Sequence, residues 1–541
     1  ERNYDLFLNF DKDLNDKLNL FGMVGTNLRR SAVNITDGQT NGGLVVPGVY
    51  SFSNSVNTPE AASETDAARA VDGYLGRATL AYDRFLYLDL SARYDVSSTL
   101  PVDNNSFFYP AATASLIYSE LFDISGMDFG KLRLNYAQVG NDAPMQRLQN
   151  IYSMGTAFGS STLASAPNTG YNSNLLPENT TSLEIGFENK FFNNKLGLDI
   201  TLYQATTDNQ ILAVRPSSSS GTYYQYVNAG KVQNQGIELQ LYANVLQSGD
   251  FSWDTRINWA RNRNEVLELT GNLETYQLGS FQGGVTVEAT IGESYGSIKG
   301  TDFVYHDGEK IVVDHPSASR GGMVYGKTAS TQTIGNIMPD WTGGWTNTFS
   351  YKNLTASALI DVQWGGDFFS LDTWYGYGTG IYADQAGTNA DGVEVRESIA
   401  NGGGLSIGGV MASTDADGAY VLDADGNFTS DGVANTVNGY VGDYNNYAGW
   451  KNAPNAMHVY DATYIKLRQL SISYSLPSSM FSGKGFQGID IGIMARNLAI
   501  LYKKSPHTDP EAGLSAGNIQ GYQSGAYPAV RELGLNVTFK F

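Results

Sequence analysis

Leu196-Gly-Leu-Asp-Ile-Thr-Leu-Tyr203 puts Leu196, Leu198, Ile200 and Leu202 on one side of an extended chain and Gly197, Asp199, Thr201 and Tyr203 on the other. Just before it lies a second extended run, 182–192, with the turn expected at Asn193-Asn194. That is the length of a two-residue hairpin, although the favoured glycine is missing. After it comes a long connection, 208–235. The same two-faced pattern returns along the chain. Leu86, Leu88, Leu90 and Ala92 oppose Tyr87, Asp89, Ser91 and Arg93. Ile237, Leu239, Leu241 and Ala243 oppose Glu238, Gln240 and Tyr242. Ile489, Ile491, Ile493 and Ala495 oppose Asp490, Gly492 and Arg496. A strand between lipid and a wet lumen needs one apolar and one polar face, but so does a strand of a soluble sandwich.

Loop lengths decide between the two. The pattern predicts about 15 strands, near 3–10, 18–28, 73–82, 85–95, 111–119, 130–140, 182–192, 196–207, 236–246, 251–263, 344–351, 354–365, 463–476, 487–500 and 532–541. Their connections alternate strictly. The short ones are Asp11–Lys17, Asp83-Arg84, Glu120–Phe129, Asn193-Asn194, Gln247–Asp250, Lys352-Asn353 and Pro477–Phe486. The long ones are 29–72, 96–110, 141–181, 208–235, 264–343, 366–462 and 501–531. An outer-membrane barrel sorts its connections in this way, into short periplasmic turns and long extracellular loops; a sandwich has no reason to. The expected fold is therefore all-β, a transmembrane antiparallel β-barrel in a bacterial outer membrane. Leu86, Leu88, Leu198, Ile200, Leu239, Leu241, Ile491 and Val537 are expected to face lipid.

Composition agrees. Charged residues make up only 16% and aromatics 12% of the 541 residues, whereas a soluble domain carries about 25% charge. No apolar run reaches the ~18 residues of a spanning helix, and a closed barrel is the other structure that satisfies its backbone in lipid. The net charge of −20 argues against nucleic acid as a partner, and the absence of Cys excludes disulfides and thiolate metal sites. The last strand alternates Leu533, Leu535, Val537, Phe539 and Phe541 with Gly534, Asn536, Thr538 and Lys540. A terminal amphipathic strand ending on an aromatic resembles the signal read by the barrel-assembly machinery, with Phe539 and Phe541 as its carriers. One strand is untidy: Lys466 and Arg468 share a face with Leu470, Ile472 and Tyr474. Either the basic pair sits above the hydrocarbon or a bulge switches the face.

The chain opens Glu1-Arg-Asn-Tyr-Asp5, without the charged start, apolar stretch and cleavage site of a signal peptide. An odd strand count with Phe541 at the periplasmic rim would put Glu1 at the extracellular side, in mid-barrel. Since single-chain bacterial barrels have an even strand number, the expectation is that strands and whatever precedes them are absent. A miscounted strand is the alternative.

Several segments, in order and spacing, resemble the C-terminal half of the SusC/RagA-type TonB-dependent transporters of Bacteroidetes. They include Gly73-Tyr-Leu-Gly-Arg-Ala-Thr-Leu-Ala-Tyr82, Leu132-Arg-Leu-Asn-Tyr-Ala-Gln-Val-Gly-Asn141 and Asn174-Leu-Leu-Pro-Glu-Asn-Thr-Thr-Ser-Leu-Glu-Ile-Gly186. Others are Tyr226-Val-Asn-Ala-Gly230, Pro339-Asp-Trp-Thr-Gly-Gly344, Trp364-Gly-Gly-Asp367, Ala462-Thr-Tyr-Ile-Lys-Leu-Arg468 and Ala495-Arg-Asn-Leu498. The resemblance covers the chain nearly end to end, so that 1–541 is expected to be the C-terminal part of a receptor barrel of about 22 strands. It implies a plug domain missing here, a SusD-like surface lipoprotein as lid, and energy from the TonB complex through the missing N-terminal region. The function it implies is outer-membrane import of an oligomeric nutrient, an oligosaccharide in preference to a peptide, and no enzyme activity. A passive porin and a surface receptor or adhesin stay open as alternatives.

The chemistry-bearing residues fit that picture. Gly292-Glu-Ser294-Tyr-Gly296 has the letters of a hydrolase elbow without its strand–turn–helix context. His306, His315, His458 and His507 have no ligand spacing. No cofactor is expected, except that Asp415, Asp417, Asp423 and Asp425, in two Asp-x-Asp-Gly turns of the 366–462 loop, could hold a structural Ca²⁺. The same letters also make plain hairpin turns. Trp374, Tyr375, Tyr377, Tyr382, Tyr444, Tyr447 and Trp450 crowd the same loop. Flat rings suit sugar faces, which makes Trp374, Tyr375, Tyr377 and Trp450 the candidate substrate contacts. Loop packing, a lid interface or an upper aromatic girdle is the competing reading.

Overall fold

The structure, a computed structural model, describes residues 1–540 except 156, 217, 218, 220, 272, 482–486, 516, 518, 519 and 528. Its main feature is one sheet of fifteen strands in chain order. The strands are β1 (Arg2–Asn15), β2 (Leu18–Asp37), β3 (Ser63–Tyr82), β4 (Leu86–Ser97), β5 (Ser106–Ile117), β6 (Met127–Asn141), β7 (Glu178–Phe191) and β8 (Leu196–Asp208). They continue with β9 (Lys231–Ser248), β10 (Phe251–Glu268), β11 (Trp341–Tyr351), β12 (Leu354–Trp364), β13 (Tyr464–Ser475), β14 (Gly488–Lys503) and β15 (Glu532–Lys540). All fifteen expected segments are strands, with short and long connections alternating as the sequence predicts. Among the described residues no helix is long and apolar enough to cross a membrane. β1 and β15 each have one partner in the sheet.

Several strands run past the boundaries read from the sequence, β2 and β3 most of all. β2 and β3 pair far into the supposed 29–72 loop, from Leu18↔Tyr82 to Asp37↔Ser63. Val33 and Ile35 continue the alternation there against Ala67 and Thr65, but too few apolar residues follow to mark it. The β7–β8 connection is also longer than the two-residue turn expected at Asn193-Asn194. Phe192, Asn193 and Asn194 all take positive φ, a conformation that Asn tolerates better than most residues. Lys352-Asn353 does form a two-residue link, whereas the link expected at Asp83-Arg84 also takes in Phe85.

The chain divides into two compact units. The first comprises Glu1–Phe191, Thr201–Gln235 and Leu267–Leu273. Here register builds apolar rows straight across the strands: Leu18, Tyr82, Leu86, Leu116, Leu132 and Phe187, then Leu20, Leu80, Leu88, Ala114, Leu134 and Ile185. On the opposite face Arg77 binds Asp89, Thr79 donates to Asp89 at 2.8 Å, and Arg93 meets Asp95 at 2.8 Å. A small core of Leu100, Ala143 and Leu175 lies in the connections.

The second unit comprises Phe192–Ile200, Gly236–Val266 and Glu274–Phe541. Its rows run Phe251, Tyr351, Leu354, Tyr474, Ile491, Val537 and Trp253, Phe349, Ala356, Ile472, Ile493, Leu535. These side chains are unusually open: Ile493 is 61% and Leu535 72% exposed. The long connections, by contrast, have their own cores. Strands at Thr275–Phe281, Val285–Thr290, Ser297–Gly300 and Gln332–Asn336 make a four-stranded sheet. Val285, Val287, Ile298, Phe369, Leu371 and Tyr522 pack into one buried cluster. A second small sheet is built on Glu309–Asp314, with Val312, Met323 and Ile407 buried against each other.

The untidy strand resolves as a bulge. In the β12–β13 register Leu359 faces Gln469 and Ile360 faces Leu467, so Arg468 is the extra residue. The register with β14 shifts at the same place. Lys466 and Arg468 thereby leave the apolar face that Leu470 and Ile472 occupy, and both reach acids of the 501–531 connection.

Candidate ligand site

The aromatic residues singled out in the 366–462 connection are organised by one short helix, α1 (Leu371–Thr379). Ser370 caps it by accepting from the Thr373 N–H at 3.1 Å, and Gly380, at φ 70°, ends it. Leu371 and Thr373 point into the core and Trp374 packs half-buried against it, which leaves Tyr375 on the outward side. Trp450 stacks on Trp374 with ring centroids 6.0 Å apart and meets Tyr375 edge-on at 5.7 Å. Tyr444 adds a fourth ring, 5.4 Å from Trp450. Gly378 permits this approach, since a Cβ there would lie 2.5 Å from the Trp450 Nε1. Trp450 itself sits at φ 23°, a conformation bulky residues avoid. Its indole N–H has no partner among the described residues.

Three of the four candidate contacts therefore converge: Trp374, Tyr375 and Trp450. Tyr377 does not join them. It lies against Tyr382 at 4.9 Å, donates to Asp384 at 2.8 Å, and faces His458 and His507. Burial, and then the bond to Asp384, push its hydroxyl well above the ordinary tyrosine range. Tyr447 packs elsewhere, on Tyr325. Sequence reading missed Gln282, whose amide reaches the Tyr375 hydroxyl from a different connection.

A second constellation was only half visible in the sequence. Lys466, 5% exposed, holds Asp509 at 2.7 Å and also Glu511. Arg468 bridges Glu511 at 2.7 Å and Asp361, and Tyr464 donates to Glu511 at 3.0 Å. Burial works against the Glu511 carboxylate, yet bonds from Arg468 and Lys466 win and hold it down to about 2. The untidy basic pair was its only signal, because the acids lie over forty residues further on.

The other candidates have local roles. Asp415 accepts from the N–H groups of Asp417 and Ala419, and Asp423 from those of Asp425 and Asn427, at 2.8 to 3.0 Å. Each therefore caps its own hairpin turn, with Gly418 and Gly426 at positive φ. Among the described residues no group of three or more His or acidic side chains is placed to hold a metal ion. Ser294 donates to Asn264 in a loop, away from any helix. His315 contacts the Asn445 carbonyl, and His458 lies between Thr373 and the Ala448 carbonyl. Burial pulls the His458 imidazole down to about 4. His507 stacks on Tyr382 at 3.8 Å. Of the lipid-facing candidates, Leu86, Leu88, Ile491 and Val537 are exposed and Leu198, Ile200, Leu239 and Leu241 half-buried. Phe539 is exposed, and Phe541 lies outside the described residues.

Residues 1–442 match the family model described as TonB dependent receptor-like, beta-barrel. A TonB-dependent receptor of Formosa agariphila is 26% identical over 494 residues, covering 86% of this chain and 45% of the relative. The TonB-dependent receptor SusC of Bacteroides thetaiotaomicron is 28% identical over 211 residues, covering 37% of this chain and 21% of that protein. The solved structure of the RagAB peptide transporter superposes over 100% of this chain and 55% of its own, with a TM-score of 0.75 at 19% identity, a likeness of fold. The chain thus spans about half the length of the curated relatives it matches.

Proposed function

Because this chain belongs to the TonB-dependent receptor β-barrel family of the outer membrane, we propose that the complete protein imports an oligomeric nutrient, a glycan in preference to a peptide. Import is driven through the TonB complex, with a SusD-like lipoprotein closing over the long connections. The observation that carries the glycan reading is the ring platform of Trp374, Tyr375 and Trp450. Three rings from two segments meet there, with the Tyr375 ring exposed. Rings offer stacking faces to sugar C–H groups, and a tyrosine hydroxyl can exchange hydrogen bonds with a sugar hydroxyl. The peptide reading is the competitor, since the fold match is to a protein named as a peptide transporter.

The remaining assignments follow from the same reading. The rows through Leu86 and Leu88, and through Ile491 and Val537, face the hydrocarbon together with Leu198, Ile200, Leu239 and Leu241. Phe539 and Phe541 present the terminal strand to the assembly machinery.

The test uses the complete protein in cells. Deleting it, or uncoupling TonB, abolishes growth on one polymer-derived nutrient and spares growth on its monomers. Trp450→Ala weakens binding of that oligosaccharide about tenfold, by ~1–1.5 kcal/mol for a lost ring contact. Uptake that survives loss of TonB favours a passive porin. Unchanged uptake with no co-purifying lipoprotein favours a surface receptor. Competition by peptides alone overturns the glycan reading.

A further inference from the structure

Beside the clamp of Lys466 and Arg468 the second unit contains a cavity of about 350 Å³. Its walls come from four places in the sequence, with Ile337 and Ala462 beside the two main segments. Gln363 and Asp367 stand at the end of β12 and just beyond it, Pro510 and Glu511 belong to the last long connection, and Phe368 and Tyr522 supply ring surface. The volume lies at the lower end of small-molecule sites, which start at about 300 Å³.

Two features make this a built site. The Pro510–Glu511 wall is fixed from behind: Glu511 is held by Lys466, Arg468 and Tyr464, and Asp509 by Lys466. A wall pinned by a side chain as buried as Lys466 does not have to be ordered when a ligand arrives. Two polar side chains also open on the cavity. Asp367 accepts the Asn336 N–H at 3.0 Å through one of its oxygens, and Gln363 lines the cavity beside it.

The lining also limits what can enter. No Lys, Arg or His is among the described residues that line it, while two carboxylates are. Of the nearby cations, Lys466 and Arg468 are committed to Glu511, Asp509 and Asp361, Lys504 to Asp461, and Lys503 donates to the Thr508 carbonyl. A uronate or sulfated unit would bring a negative charge to Asp367 with nothing to pair it, an unfavourable burial. Hydroxyl groups of a neutral ring can donate to the other Asp367 oxygen and accept from the Gln363 amide, while its C–H face lies on Phe368 and Tyr522.

We propose that this cavity is a subsite for one neutral sugar ring of the imported oligomer, and that it selects against anionic glycans. This rests on the import reading above and deepens it by naming the substrate class. In detergent, the complete protein is titrated with neutral hexasaccharides (laminari-, xylo- and manno-) and with hexauronates of equal length. Gln363→Ala and Asp367→Asn, the latter keeping an acceptor for the Asn336 N–H, are compared after heat-modifiability on gels confirms a folded barrel. At least one neutral oligomer binds at least tenfold tighter than every hexauronate, and each variant loses about tenfold in affinity for it. If a neutral oligomer binds and both variants match the wild type, the subsite is refuted while glycan import stands. Preference for hexauronates, or no binding of any neutral oligomer, overturns the subsite as well. Binding of peptides alone overturns the glycan reading itself.

Discussion

Replacing Lys466 by Met tests whether the clamp governs the last long connection. The ammonium is the hub: 5% exposed, 2.7 Å from Asp509 and bonded to Glu511. Methionine fills a similar volume but leaves Asp509, 12% exposed, without its ion-pair partner. Removing one partner of a buried pair costs about 3–5 kcal/mol. The lower end applies, because Arg468 still holds Glu511 at 2.7 Å. The cost falls on residues 504–513 rather than on the sheet, since β13 keeps its ladders with β12 and β14. A local loss of ~3 kcal/mol corresponds to about a hundredfold faster hydrogen exchange, read by mass spectrometry on the peptide 505–513 of the complete protein. Acid gives a second arm. The Glu511 carboxylate titrates at about 2 against an ordinary 4.5, so its stabilisation is full above about 4.5 and fades as pH falls through about 2. At 36% exposure, solvent screening reduces that contribution to ~1–2 kcal/mol. Unchanged protection of 505–513 in Lys466→Met, or a loss spread evenly over β12 to β14, would refute the reasoning.

Three further outcomes are expected. Ile491→Arg, in the row joining Tyr474 to Val537, costs about 2–4 kcal/mol if that row lies near the bilayer midplane. The folded band on heat-modifiability gels then drops, and a normal folded yield counts against the lipid face. Fully buried His458 titrates at about 4 instead of 6.5. The stability it contributes is full above about 6.5 and is lost as pH falls through about 4, worth up to ~3 kcal/mol. Exchange protection of residues 455–463 must follow that window in wild type and not in His458→Gln. Because the Asp415 and Asp423 carboxylates are spent on their own turns, EDTA leaves the protease resistance of the 410–434 hairpins unchanged. A loss restored by Ca²⁺ would support the calcium reading.

The strands were legible because each satisfies two environments at once, and alternation records that residue by residue. Leu196–Tyr203 alone carries it, and the alternation of loop lengths supplies the topology. What stayed hidden is long-range. Lys466 and Arg468 broke the pattern of their strand, and a face-switching bulge was one of two explanations the residues allowed. That Asp509 and Glu511 complete them has no local trace, because ion pairing imposes no periodicity on sequence. The aromatic set was visible as a crowd, but not its division: Trp374 and Tyr375 are adjacent and face Trp450, while Tyr377 turns to Asp384 and His507. Even helical spacing would not have shown it, because α1 is a nine-residue helix in a connection that reads as loop.

The distribution of burial gives a reason for connections this long. Phe369, Ile298, Ile311, Val312 and Val395, among the largest fully buried side chains, all lie outside the fifteen strands. The strands instead display their apolar rows, with Leu533 at 79% exposure. Such a sheet gains its hydrophobic stabilisation from a surrounding apolar phase, not from an interior. Its connections stand in water and must bury their own apolar surface to be ordered at all, at a backbone cost of about 1–2 kcal/mol per residue. A handful of residues cannot form such a core. Segments long enough to do so can hold a ring platform and a pinned cavity wall in place before a ligand arrives. The ordering cost is then met in folding rather than in binding. On this argument, shortening the 269–340 connection weakens ligand affinity even when no contacting residue is removed, because the Val285–Val287–Ile298 cluster supports the Phe369 and Tyr522 rings beneath the site.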